Sequence, residues 1–91
     1  MVKRMTVHFS GTVQGVGFRF TAERVARGFS VAGYVRNLPD GRVQLLAEAE
    51  EEELKNFLKA ICKSYMSHYI RDVQTAWSEP ENEFQHFSIR S

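Results

Sequence analysis

The chain has 91 residues, 43% of them hydrophobic and 25% charged, which is enough for one modest core but excludes both disorder and a second domain. Its formal net charge of +1 sets up no broad field to gather nucleic acid or anionic lipid, so any selectivity for anions must come from a local site. We therefore read residues 1–91 as a single domain.

Met5, Val7 and Phe9 alternate with Thr6, His8 and Ser10, the period of a half-buried strand over residues 3–11. Residues 12–17 form a loop with glycines at 15 and 17. Phe18, Ala22, Val25, Ala26 and Phe29 then recur at helical spacing and predict a helix over 18–27, with Gly28 as a left-handed stop. A second strand is expected over 31–38. Leu38-Pro39-Asp40-Gly41 is a turn in which proline presets φ and glycine accepts a positive one. Val43, Leu45 and Ala47 alternate with Gln44, Leu46 and Glu48 in a third strand, so residues 31–49 read as a hairpin with Asn37 at its turn end.

Glu50 to Glu53 are four successive carboxylates, read as the solvated start of a helix whose macrodipole favours negative charge there. Leu54, Phe57, Leu58, Ile61, Cys62 and Tyr65 continue it at helical period. Cys62 lies on that stripe as a small core residue, not a nucleophile. Val73, Thr75 and Trp77 alternate in a fourth strand over 69–78. The run 78–82 breaks it, and a short last strand follows over 84–90. The order βαββαβ plus a terminal strand predicts an α+β, ferredoxin-like fold: one mostly antiparallel sheet, two helices on one face and a short fifth strand.

Lys3 and Arg4 are not followed by an apolar segment, and no apolar run can span a bilayer, so neither a signal peptide nor a membrane span is expected. A lone cysteine suits a reducing compartment. The expected location is the cytoplasm.

The loop Val13-Gln14-Gly15-Val16-Gly17-Phe18-Arg19 stands between strand and helix. Glycines let main-chain N–H groups approach a ligand closely, and the helix turns its positive N-terminal end to the same spot. Arg19 adds a planar, permanent charge suited to phosphate. A Gly-x-Gly alone would sooner be read as a plain strand-to-helix turn with a surface arginine. Phe20 stands where a dinucleotide fingerprint needs a third small residue, and no P-loop run is present.

The full string VQGVGFR resembles the first signature of the acylphosphatase family. Gly33-Tyr34-Val35-Arg36-Asn37, followed after three residues by Gly41-Arg42-Val43, is similar to its second signature. Phe87-Ser88-Ile89-Arg90 is similar to its final strand. The likeness runs from Phe9 to the end of the chain. It departs at Ala49, where the family usually carries glycine.

The resemblance implies hydrolysis of acyl phosphates to a carboxylate and inorganic phosphate. Gln14, Gly15, Val16, Gly17, Phe18 and Arg19 would bind the phosphoryl group, with Arg19 as the key cation, and Asn37 would hold the attacking water. The partner would be a small acyl phosphate, with no cofactor and no metal, acted on by a monomer. A non-catalytic anion- or partner-binding domain on the same fold is the alternative.

The residues themselves fit that picture. His8, His68 and His86 are scattered and no Cys-x-x-Cys occurs, so a transition-metal site is not expected. The third strand lacks the aromatics of an RNA-binding sheet. One topological inference runs against it. If the right-handed crossover makes strands one and three parallel neighbours, strands one and two point in opposite directions. The loop and Asn37 would then leave the sheet at opposite ends, and only the resemblance brings them together.

Overall fold

The computed structural model describes residues 1–91. In chain order it contains β1 (Val2–Gly11), α1 (Phe18–Ala26), β2 (Ala32–Asn37), β3 (Val43–Glu50), α2 (Glu51–Cys62), a 3-10 turn (Tyr65–His68), β4 (Ile70–Ser78) and β5 (Phe87–Arg90). The five strands form one sheet in the order β4-β1-β3-β2-β5.

β1 pairs antiparallel with both β3 and β4, β2 pairs antiparallel with β3, and β5 adds to β2 in parallel. This is the ferredoxin-like arrangement, with one correction to the strand directions expected above. β1 and β3 are neighbours but antiparallel. The crossover rule acts on β1–α1–β2, whose two strands are parallel and separated by one place. The hairpin then inserts β3 into that gap, antiparallel to both. β1 and β2 therefore run the same way, and both leave the sheet at the same end.

The alternation of apolar residues decides which face is covered. Met5, Val7 and Phe9 of β1, Val35 of β2, and Val43, Leu45 and Ala47 of β3 are fully buried. They meet Phe18, Ala22 and Ala26 of α1 and Leu54, Phe57 and Ile61 of α2 in one cluster. The rings of Phe9 and Phe18 lie 4.7 Å apart and tie the end of β1 to the start of α1. Ala49 is also buried, within the β3 ladder opposite Lys3, so the strand runs through this position to Glu50.

Several boundaries differ from expectation. α1 does not end in a left-handed glycine. Gly28 keeps an ordinary φ, and the chain closes with tight bonds from Gly28 N–H to the Val25 carbonyl and Phe29 N–H to the Ala26 carbonyl, both 3.0 Å. α2 stops before Tyr65, because the Ser64 hydroxyl accepts the Met66 N–H at 3.1 Å and starts a new turn. Tyr65 is thereby exposed, and Met66 fills the core instead.

β5 begins at Phe87, not at 84, because the preceding connection is committed elsewhere. Glu48, almost wholly buried, accepts the N–H groups of Glu81 (2.7 Å) and Asn82 (3.0 Å) and the Nε of Arg4 (2.8 Å). Arg4 also reaches Glu83 at 2.8 Å and Glu81 at 3.3 Å. Phe84 packs edge-on against Tyr34, with ring centroids 5.7 Å apart. The connection thus lies across the sheet face opposite the helices.

Burial alone would push the Glu48 carboxyl up. The two main-chain N–H groups and the Arg4 guanidinium outweigh it and hold the pKa below the ordinary value of 4.5. Glu48→Ala should therefore cost about 3 kcal/mol at neutral pH, the low end for breaking a buried ion pair, because Arg4 keeps Glu83. The folded pKa is the depressed one, so this stabilisation is full above the unfolded value and fades as pH falls through the folded value. Urea melts of the two proteins from neutral to acid pH should converge accordingly.

Candidate active site

The site begins where β1 ends. The Thr12 N–H bonds the Tyr69 carbonyl at 3.0 Å, and Val13 is driven fully into the core, which fixes the start of the loop. Gly15 and Gly17 then adopt left-handed conformations, with φ of 77° and 82°. Nothing lies within 4 Å of where a Cβ would stand on either, so both are required by backbone angle rather than by crowding.

Gly17 is also the N-cap of α1, and having no side chain it leaves the first turn uncapped. The first helical bond runs from Thr21 N–H to the Gly17 carbonyl at 3.0 Å. The N–H groups of Phe18, Arg19 and Phe20 consequently have no acceptor within the helix. Left-handed residues alternating with ordinary ones turn successive N–H groups to one side, a concavity suited to an anion.

A cavity of about 120 Å³ sits against this bend, bordered by Val13, Gly15, Gly17, Phe18, Arg19 and Asn37, with Phe20 also on its wall. Asn37 is the last residue of β2 and half-buried, and no intramolecular hydrogen bond takes up its carboxamide. Arg19 has no carboxylate partner. Its Nη1 donates to the Arg90 carbonyl of β5 at 3.3 Å, which steadies one edge of the fork and leaves its other donors unspent.

Arg19 and Asn37 thus border one small space, together with the two left-handed glycines. Two of the expected phosphate ligands do not border it. Val16 packs against the core. The side chain of Gln14 donates to the carbonyls of Leu38 at 2.7 Å and Arg42 at 2.9 Å, in the turn beyond Asn37. The sequence reading did not find the Arg90 carbonyl beside Arg19, because a main-chain acceptor has no signature in residue types. It noted Phe20 only as breaking a fingerprint. The ring is in fact 70% exposed on the cavity wall.

Other groups are less suited to chemistry. A larger groove of about 480 Å³ is lined by Lys3, Glu51, Lys55, Trp77, Ser78 and Glu79. Its charges are already matched, Lys55 to Glu51 at 3.0 Å and Lys3 to Glu79 at 3.8 Å. His8 faces Gln44 at 3.1 Å within the sheet, and burial together with Arg42 holds its pKa below the usual histidine value. Burial pushes the Cys62 thiol up, away from thiolate character. No three His, Cys, Asp or Glu side chains converge as metal ligands would.

The acylphosphatase family model matches residues 5–89. An acylphosphatase of Archaeoglobus fulgidus is 42% identical over 85 residues, covering 93% of this chain and 94% of the relative. One of Bacillus licheniformis is 43% identical over 79 residues, covering 87% and 88%. The crystal structure of acylphosphatase from Bacillus subtilis superposes with a TM-score of 0.87 over the full length of both chains, at 33% identity.

The left-handed bend is testable by itself. Gly17→Ala meets no steric obstacle, so it should fold normally and lose only the backbone term, about 1–2 kcal/mol in a urea melt. A loss several times larger would mean that the bend is held by packing instead of by its φ.

Proposed function

This chain belongs to the acylphosphatase family and hydrolyses the carboxyl–phosphate bond of acyl phosphates, and we propose that it does so with Arg19, Asn37 and the main-chain amides of residues 14–19. The observation that carries this division of labour is the shared cavity: Gly15, Gly17, Phe18, Arg19 and Asn37 all border it. The amides and the guanidinium hold the phosphoryl oxygens. Asn37 holds a water through its carboxamide, in line with the bond to be broken. For Gln14 and Val16 the proposed contribution is the main-chain N–H alone.

The substrate's chemistry explains why so spare a site suffices. An acyl phosphate is a mixed anhydride, and it leaves as a carboxylate whose conjugate acid has a pKa of about 4. Such a group departs without a proton donor. A loose phosphoryl-transfer transition state asks mainly for charge stabilisation and alignment. A carboxamide can orient water by both donating and accepting, although it is a feeble base. Alkyl phosphates, which leave as alkoxides, would be poor substrates for the same reason.

We further propose that residues 1–91 work as one domain and as a monomer in the cytoplasm. One hydrophobic cluster drawing on the strands and both helices supports the first point. No helix is long and apolar enough to cross a membrane.

The deciding experiment is the hydrolysis of an aryl acyl phosphate, followed by absorbance and repeated with a chelator present. Arg19→Ala should abolish turnover and weaken inhibition by inorganic phosphate, since it removes the one formal charge that borders the cavity. Turnover at the parent rate would overturn its role. Asn37→Ala should lower kcat by about a hundredfold or more, the scale of losing one positioned hydrogen-bonding group, while phosphate inhibition stays as it was. Equal loss of both would make Asn37 a structural residue.

A further inference from the structure

The carboxamide of Gln14 spends both of its donor hydrogens on one place. Nε2 donates to the Leu38 carbonyl at 2.7 Å and to the Arg42 carbonyl at 2.9 Å. Those carbonyls sit on either side of the hairpin neck, one residue beyond Asn37 on β2 and one before Val43 on β3. Asn37 and Val43 are themselves the last paired residues of the β2–β3 ladder. The bond therefore joins the phosphate bend to the point where β2 leaves the sheet.

The hairpin does not need this bond to close. Leu38 N–H already meets the Arg42 carbonyl at 2.8 Å, and Gly41 N–H meets the Leu38 carbonyl at 3.1 Å. Gln14 adds a second donor to each acceptor, as carbonyl oxygens with two lone pairs permit. What it adds is a fixed separation between two segments distant in sequence, one bearing the amides of Gly15 and Gly17 and the other bearing Asn37. In-line displacement is sensitive to that separation.

We infer that Gln14 is a positioning residue, whose side chain sets the place of Asn37 relative to the bound phosphoryl group and does not itself touch the substrate. The inference rests on the roles proposed above for Asn37 and the bend. Gln14→Met keeps the length of the side chain and removes both donors. It should lower kcat by about tenfold to a hundredfold, the scale of a displacement of around 1 Å. Inhibition by inorganic phosphate should change by less than about twofold, because the amides and Arg19 are retained. In the Asn37→Ala background the same substitution should cost nothing further, since it acts through Asn37.

A matching rise in the phosphate inhibition constant would make the Gln14 side chain itself a phosphate ligand and overturn the inference. So would full activity in Gln14→Met, or a further loss in the double variant that multiplies the two single losses. An Asn37→Ala variant with unimpaired kcat would instead sink the role of Asn37, a separate failure read from its own single variant. The parent protein gives an independent measurement that needs no folded variant. On titration with inorganic phosphate, the main-chain amide resonances of Gly15 and Gly17 should move while the side-chain amide resonances of Gln14 stay in place. Movement of the Gln14 side-chain signals in step with the glycines would overturn the assignment.

Discussion

The insertion of β3 between two parallel strands is the constraint on which the site depends. A right-handed crossover through α1 returns β2 parallel to β1, but one strand width away. The hairpin then fills the gap. Both outer strands of this trio must leave the sheet at one end, and there the phosphate bend and Asn37 meet. If β2 were β1's direct neighbour, β3 would be displaced from the centre and would lose β1 from one flank. The burial of Val43, Leu45 and Ala47 thus helps hold together a site to which none of them contributes an atom.

Inside that frame the chemistry is economical. Main-chain amides carry partial charge that costs nothing to reorganise when they are fixed in place. They can be fixed because the bend is anchored at both ends, Val13 in the core and Phe18 against Phe9. The single formal charge in the cavity, Arg19, is steadied by a carbonyl and not by a carboxylate. A carboxylate partner would have cancelled much of the field offered to a phosphoryl group. The near-neutral net charge of the whole chain is compatible with this, since the anion is gathered locally.

Much of this was legible in the residues. Period-two alternation placed Met5, Val7 and Phe9 on one face, and helical spacing placed Phe18, Ala22 and Ala26 opposite them. The motif around Gly15 and Gly17 marked the bend, and the likeness of residues 33–43 to a second known signature marked Asn37. Strand direction was not legible: the pattern of Val43, Leu45 and Ala47 is the same read from either end, and the crossover rule was applied to the wrong pair of strands. The start of β5 was missed because Glu48 lies some thirty residues before the amides it captures, and no local preference announces that capture. The use of the Gln14 side chain was missed for a related reason. Its acceptors are carbonyls, which every residue possesses.

The clasp at Glu48 carries a lesson about divergence. The bonds it receives from positions 81 and 82 come from the peptide backbone, so it reads the path of the chain and is nearly blind to which side chains decorate it. Position 82 is restricted chiefly by its left-handed φ of 56°, a conformation asparagine and glycine tolerate. Glu48 itself therefore leaves the residue types along the connection open, and side-chain identity there is set instead by Arg4 on Glu81 and Glu83 and by Phe84 against Tyr34. The glutamate and its arginine are far apart in the text and adjacent in space, and together they hold that course.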